Sequence, residues 1–185
     1  MSAPTTELPK SGSRLDGRVG LVVDIEPLSS FPARTGAALA LLNEYLRLPD
    51  GWAHAGGVVP IPLPATLANE VAAFPGAAVP PQGEVFLAMN GAAAVGIAVV
   101  VRHTLDTALL KRLFVVPSLR RAGIGQRLAI ACVQWGGPAG YSRIALDVLP
   151  SRTAAIRLYE GLGFGDTSPF ATSVTPMRYL ARSTG

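Results

Sequence analysis

Cysteine is nearly absent from the chain: Cys132 is the one thiol among 185 residues. A lone thiol closes no intramolecular disulfide and cannot build the cysteine cluster of a structural zinc site. Histidine is scarce as well. His54 and His103 are the only two, neither sits within a cluster of ligand-type residues, and no metal is expected. Long apolar runs are also missing. The mean hydropathy is +0.37, but the longest apolar stretch, residues 91–101, falls far short of the roughly 20 residues of a bilayer span, so no membrane partner is expected. Residues 1–18 have no apolar core of the kind a secretory signal requires. A flexible tail over residues 1–17 and a cytoplasmic location follow as expectations. There is no dense basic block either. Sixteen Lys and Arg against 12 Asp and Glu leave a formal charge of +4, and the basic residues near Lys111 and from Arg120 to Arg127 are not interleaved with aromatics. That pattern favours a small anionic ligand over nucleic acid.

What is present suffices for one hydrophobic core, with 49% of residues hydrophobic, and too little chain remains for a second domain of ordinary size. A single domain over residues 18–185 is expected. Residues 19–25 (VGLVVDI) read as a strand closed by Glu26-Pro27. Leu39, Leu42 and Leu46 recur at helical spacing within residues 37–46, and that helix must stop before Pro49. Residues 50–64 read as loop and residues 67–74 as a short helix. Three strands follow at residues 84–89, 95–102 and 107–116, the first two joined at Asn90-Gly91, which makes an antiparallel meander. The remainder alternates: helix over 123–135, strand over 142–148, helix over 151–161 and strand over 170–180. Alternation of this kind implies a parallel crossover and a mixed α/β fold.

The stretch richest in chemistry is residues 113–128, LFVVPSLRRAGIGQRL. A strand runs into Pro117, turns through arginines and enters a helix at two glycines. Free N–H groups and a partial positive charge at a helix N-terminus hold phosphate oxygens, and Gly123 and Gly125 permit close approach of the backbone. Arg120, Arg121 and Arg127 add full charges. A Walker loop would close with Gly-Lys-Ser/Thr, which is lacking. A dinucleotide fingerprint would need a third glycine where the chain has Leu128. The alternative is a plain helix start.

Arg120-Arg121-Ala122-Gly123-Ile124-Gly125 resembles the acyl-CoA pyrophosphate loop of the GNAT superfamily of N-acyltransferases. Residues 154–164 (AAIRLYEGLGF) resemble that family's second signature, a helix carrying a tyrosine followed by Leu-Gly-Phe, and a helix, a turn and a strand join the two motifs as a βαβ core would. The match covers residues 84–164, and Asn43-Glu44-Tyr45 with Pro75-Gly76 and Pro80-Pro81 is similar to a small bacterial branch. The resemblance implies a mostly antiparallel central sheet with a splayed parallel strand pair and helices on both faces. It implies acetyl-CoA as cosubstrate, no metal, and transfer of acetyl to a small-molecule or peptide amine by direct attack through a tetrahedral intermediate. A non-catalytic acyl-CoA-binding sensor or scaffold of the same fold is the alternative, and a homodimer is compatible with either.

The resemblance also implies roles. Leu113, Phe114 and Val115 lie where the family's bulged strand offers its edge to pantetheine, while their side chains read as ordinary core. Arg120 opens the loop, and the backbone of Arg121, Ala122, Gly123, Ile124, Gly125 and Gln126 is placed against the phosphates; Arg121 stands where glycine is common. Tyr159 is the candidate general acid for the CoA thiolate, against a core tyrosine. Asp147 is the candidate base, on the opposite face of its strand from Ile144, Leu146 and Val148; the alternatives are a helix cap or an ion pair with arginine. Leu109 is apolar where relatives carry another glutamate, which leaves Glu84 as a distant substitute. Arg152 stands where the family often has a cofactor-contacting asparagine, and reads as a phosphate or acidic-substrate contact or as a solvated helix-end residue. Cys132 shares a helical stripe with Leu128 and Trp135 and reads as core.

Overall fold

The computed structural model describes residues 22–47, 69, 71–173 and 175–185. The expected tail, the loop over residues 50–64 and His54 lie outside this set. Strand β1 is Asp24–Pro27, shorter and later than the apolar run that predicts it, and helix α1 is Thr35–Arg47. Of the helix expected over residues 67–74, residues 69, 71 and 72 are helical and 73–77 form a turn.

The meander forms as read: β2 is Gly83–Asn90, β3 Ala93–Arg102 and β4 Thr107–Val115. Helix α2 (Ile124–Gly136), β5 (Arg143–Val148) and helix α3 (Thr153–Gly161) follow. The final segment departs from expectation. A two-residue strand β6 at Gly165–Asp166 pairs with β7 at Arg178–Ser183, and most of the strand expected over 170–180 is irregular. Its apolar residues are consumed in packing: Phe170 lies edge-on to Tyr179, with ring centroids 4.9 Å apart.

The seven strands among the described residues form one sheet in the order β1-β2-β3-β4-β5-β7-β6, antiparallel throughout except for β4 beside β5. Helices cover both faces, because alternate strand residues point to opposite sides. Phe86 and Ala88 of β2 pack with Leu128 and Cys132 of α2, while Val85 and Leu87 pack with Leu41 and Leu42 of α1. No helix among the described residues is long and apolar enough to cross a membrane.

Two contacts tie the front of the sheet together. Glu84 is 2% exposed, and its carboxylate accepts from the Ser29 hydroxyl, the Ser29 N–H at 3.2 Å and the Val85 N–H at 2.9 Å. A buried carboxylate so supplied serves as an anchor for the turn after β1. Gly83 begins β2 against other backbone: an added Cβ would lie 2.4 Å from the Val100 carbonyl oxygen and 2.7 Å from that of Ala77. Neither obstacle can swing aside. Gly83→Ala should therefore destabilise the fold by about 2–3 kcal/mol, read as a lowered urea midpoint at unchanged slope; an unchanged midpoint would contradict this packing.

Candidate functional site

The parallel ladder is short. It pairs Thr107 with Arg143, Ala108 with Ile144 and Leu109 with Ala145, and stops. Strand β4 continues to Val115 and β5 to Val148, so beyond Leu109 the two strands present unpaired edges across a gap. A bulge in β4 accompanies the split: Lys111 lies opposite Val99 and Phe114 opposite Ile97, leaving one extra residue on β4. Arg112 sits in the bulge with φ 55°, in the left-handed region, a conformation costly for a side-chain-bearing residue and common where a strand is re-aimed. After it, Phe114 packs on the α1 side, and Leu113 and Val115 pack on the α2 side. The side chains of these three residues are core, as read, and the edge of β4 that faces β5 has no ladder pairing here.

At the end of β4 the chain passes through residues 117–119 in a single turn, and Arg120 is extended. Arg121 and Gly123 both take left-handed φ, 64° and 77°, and Gly123 is the N-cap of α2, with no side chain capping the helix. Its first N–H groups are left for an outside partner. Arg121, Ala122, Gly123 and Gln126 are exposed, whereas the Ile124 side chain is buried and offers only its backbone. At Gly125 an added Cβ would lie 3.4 Å from Leu158 Cδ1 and 3.8 Å from Val115 Cγ2; the loop, the end of β4 and α3 converge there. Arg120 donates from Nε to the Val115 carbonyl at 3.1 Å, and its guanidinium lies 5.9 Å from the Phe114 ring centroid.

Tyr159 is buried on α3, edge-on to Phe164 with centroids 5.7 Å apart. It belongs to the α2-side cluster and Tyr45 of α1 to the other, yet the two phenols interact electrostatically. Burial holds the Tyr159 phenol well above its usual value, and Tyr45, Cys132 and Asp147 push the same way against the opposing pull of Arg152. Arg152 is only partly solvated. It is half-buried at the N-cap of α3, with its guanidinium 5.9 Å from the centroid of Tyr45, and Tyr45 in turn meets the Phe114 ring edge at 6.3 Å.

Asp147 is exposed on β5 and makes neither of the structural contacts open to it: α3 has no side-chain cap, and no ion pair among the described residues involves Asp147. Glu84, the distant substitute for a base, is committed to Ser29 and points to the α2 side. Cys132 is fully buried, and burial first, then Glu84, raises its thiol pKa, as befits core. His103 rests near the Phe170 ring, centroids 5.4 Å apart, and no group of metal-ligating residues forms among the described residues. Sequence reading overlooked Tyr45 as part of this centre. It sits on the apolar stripe of α1, and only its tertiary neighbours distinguish it from core.

These features define a class: an α/β protein whose sheet is split at one parallel pair, with an uncapped helix N-terminus beside the split. Residues 60–164 match the acetyltransferase (GNAT) family. The chain belongs to that family. It is 31% identical over 90 residues to aminoglycoside N(6')-acetyltransferase type 1 of Salmonella typhimurium, covering 44% of this chain and 62% of that relative. It is 36% identical over 67 residues to an uncharacterized N-acetyltransferase of Schizosaccharomyces pombe, covering 36% of this chain and 41% of the other. Among solved structures, a GNAT-family acetyltransferase of Staphylococcus aureus superposes with a TM-score of 0.70 at 16% identity, covering 89% of this chain and all of its own. A Salmonella typhimurium acetyltransferase bound to acetyl-CoA superposes at 0.64 and 16% identity, with 88% and 94% covered. At those identities the structures speak for the fold.

The state of Tyr159 has a consequence at alkaline pH. Its folded pKa is raised above the unfolded value near 10.0, so the unfolded chain loses this proton first. The associated stability is complete below about pH 10 and is lost as pH rises through the folded value. Absorbance at 295 nm should show Tyr159 ionising only together with unfolding, and Tyr159→Phe should unfold at higher pH. Ionisation near pH 10 in an intact fold would contradict the burial.

Proposed function

We propose that the chain transfers the acetyl group of acetyl-CoA to the amine of a small molecule, as a single domain over residues 18–185 working in the cytoplasm. The observation that carries this reading is the joining of an uncapped helix N-terminus, flanked by Arg120 and Arg121, to an open strand edge that leads to a buried phenol. An extended thioester ligand with a pyrophosphate at one end fits that succession. The names of the Salmonella relative and of the acetyl-CoA-bound structure support it.

In this reading the backbone N–H groups of Arg121, Ala122, Gly123, Ile124, Gly125 and Gln126 bind the pyrophosphate, with the Arg120 charge beside them. The β4 edge at Leu113, Phe114 and Val115 pairs with the pantetheine amides. Arg152, lying over Tyr45, contacts the acyl end of the cofactor. Asp147 receives the proton of the incoming ammonium, and the free amine attacks the thioester carbonyl carbon, so that a C–N bond forms while the oxygen takes up charge against backbone donors. Collapse breaks the C–S bond, Tyr159 protonates the departing thiolate, and the nitrogen gives up its second proton to water, from which Tyr159 is reprotonated. A phenol held above its usual pKa is protonated throughout the working range and needs no further tuning to act as acid.

Calorimetric titration with acetyl-CoA tests the binding half. Gly123→Glu introduces a strained Cβ at φ 77° and a negative charge against the pyrophosphate. Loss of about 3 kcal/mol in charge-assisted hydrogen bonds would weaken binding roughly 100-fold. Tyr159→Phe tests the chemical half: acetyl-CoA binding should persist while kcat falls about 10²- to 10⁴-fold. Failure of the wild type to bind acetyl-CoA would sink the proposal, and binding without turnover of any amine would leave a sensor.

A further inference from the structure

We propose that Lys111 and Asp147 form a two-point clamp for a zwitterionic acceptor, an amine carrying a carboxylate on the adjacent carbon, as in an α-amino acid. This deepens the transfer reading and rests on it.

The argument is one of register. Leu109 and Ala145 are the last paired residues of β4 and β5. With a side-chain period of two, Lys111 and Asp147 each lie two residues further along, on the same face as Leu109 and Ala145, across the gap from one another. The phase is secure at Lys111, because the bulge residue Arg112 comes after it. Its β3 partner Val99 packs in the α1-side cluster, which assigns Lys111 to that face.

Opposite charges at such positions in a continuous parallel pair would lie side by side. Here the split keeps them apart: no ion pair joins them, and neither side chain is ion-paired with a described residue. Asp147 is exposed and lies within electrostatic range of Tyr159, so an ammonium held there is next to the proposed acid. A carboxylate two bonds from that nitrogen points back across the gap toward Lys111. One ligand thus neutralises both charges.

The surroundings suit an apolar side chain on this ligand. Tyr179 lies directly across from Asp147 on β7, on the side of β5 away from β4, edge-on to Phe170, and its hydroxyl donates to the Ala171 carbonyl at 2.8 Å, which fixes an aromatic wall next to Asp147. A polycation meets the wrong balance. Among the described residues the clamp offers one carboxylate, Asp147, opposite the cation of Lys111, so one of several ammonium groups would find a partner and another would face like charge. The clamp therefore separates this chain's acceptor from the aminoglycosides named for its Salmonella relative.

The test begins with calorimetric confirmation that acetyl-CoA binds, then measures thiol release with matched acceptors: phenylalanine against phenethylamine, leucine against 3-methylbutylamine, and kanamycin. The amino acid of each pair should be favoured about 100-fold in kcat/KM, with kanamycin poorer still. Lys111→Met should raise KM for the amino acids at least about tenfold, with kcat and the turnover of the decarboxylated amines little changed. Lys111→Arg should keep the preference, and Lys111→Glu should reverse it toward the decarboxylated amines. Equal turnover of both members of a pair, preference for kanamycin, or equal damage to both by Lys111→Met would overturn the clamp while leaving acetyl transfer standing. Acetyl-CoA binding with no amino acid turned over would also overturn it, whereas loss of acetyl-CoA binding itself would remove the transfer reading beneath it.

Discussion

The parallel ladder between β4 and β5 ends after Leu109 and Ala145, and the rest of the site depends on that early end. A sheet that stayed zipped would satisfy its own edge groups and leave nothing for a ligand. The Arg112 bulge bends β4 at the point where pairing stops, and the strain of a left-handed arginine is borne by the surrounding ladder to β3, which resumes at Phe114. The open edge and the register that sets Lys111 across from Asp147 are two consequences of one interruption.

The second element is the helix that starts where the split strand ends. The chain leaves β4 at Val115 and enters α2 at Ile124, so the unsatisfied N–H groups of the helix lie at the end of the same edge that offers main-chain hydrogen bonds. A long ligand with an anionic end can thus be held by backbone alone, which asks little of side-chain identity. Arg121 illustrates this: it takes the left-handed conformation that a glycine would adopt without cost, and its N–H remains part of the loop.

Charge placement separates scaffold from site. Glu84 is buried with three donors around it, and Arg178 is bound to Asp166 and Glu160; both are spent on holding segments together. Asp147 has no such partner among the described residues, which leaves its carboxylate available. Sequence alone cannot make this distinction, because all are acids or bases near strand ends.

The sequence by itself determined the meander, the α1, α2 and α3 segments and the strand-to-helix turn before α2, because each is written in local terms: period-two or helical spacing of apolar residues, and glycines beside arginines after a strand. It misjudged the last strand, where Phe170 and Tyr179 carry strand-like character but Phe170 is taken up by packing against Tyr179 and beside His103. Tertiary structure alone decided that Tyr45 lies against Phe114 and Arg152, that Glu84 is bound to Ser29, and that the β4–β5 pairing ends two residues before Lys111 and Asp147. These are relations between residues far apart in the chain, set by where a ladder of hydrogen bonds stops, and no local pattern of side chains records that point.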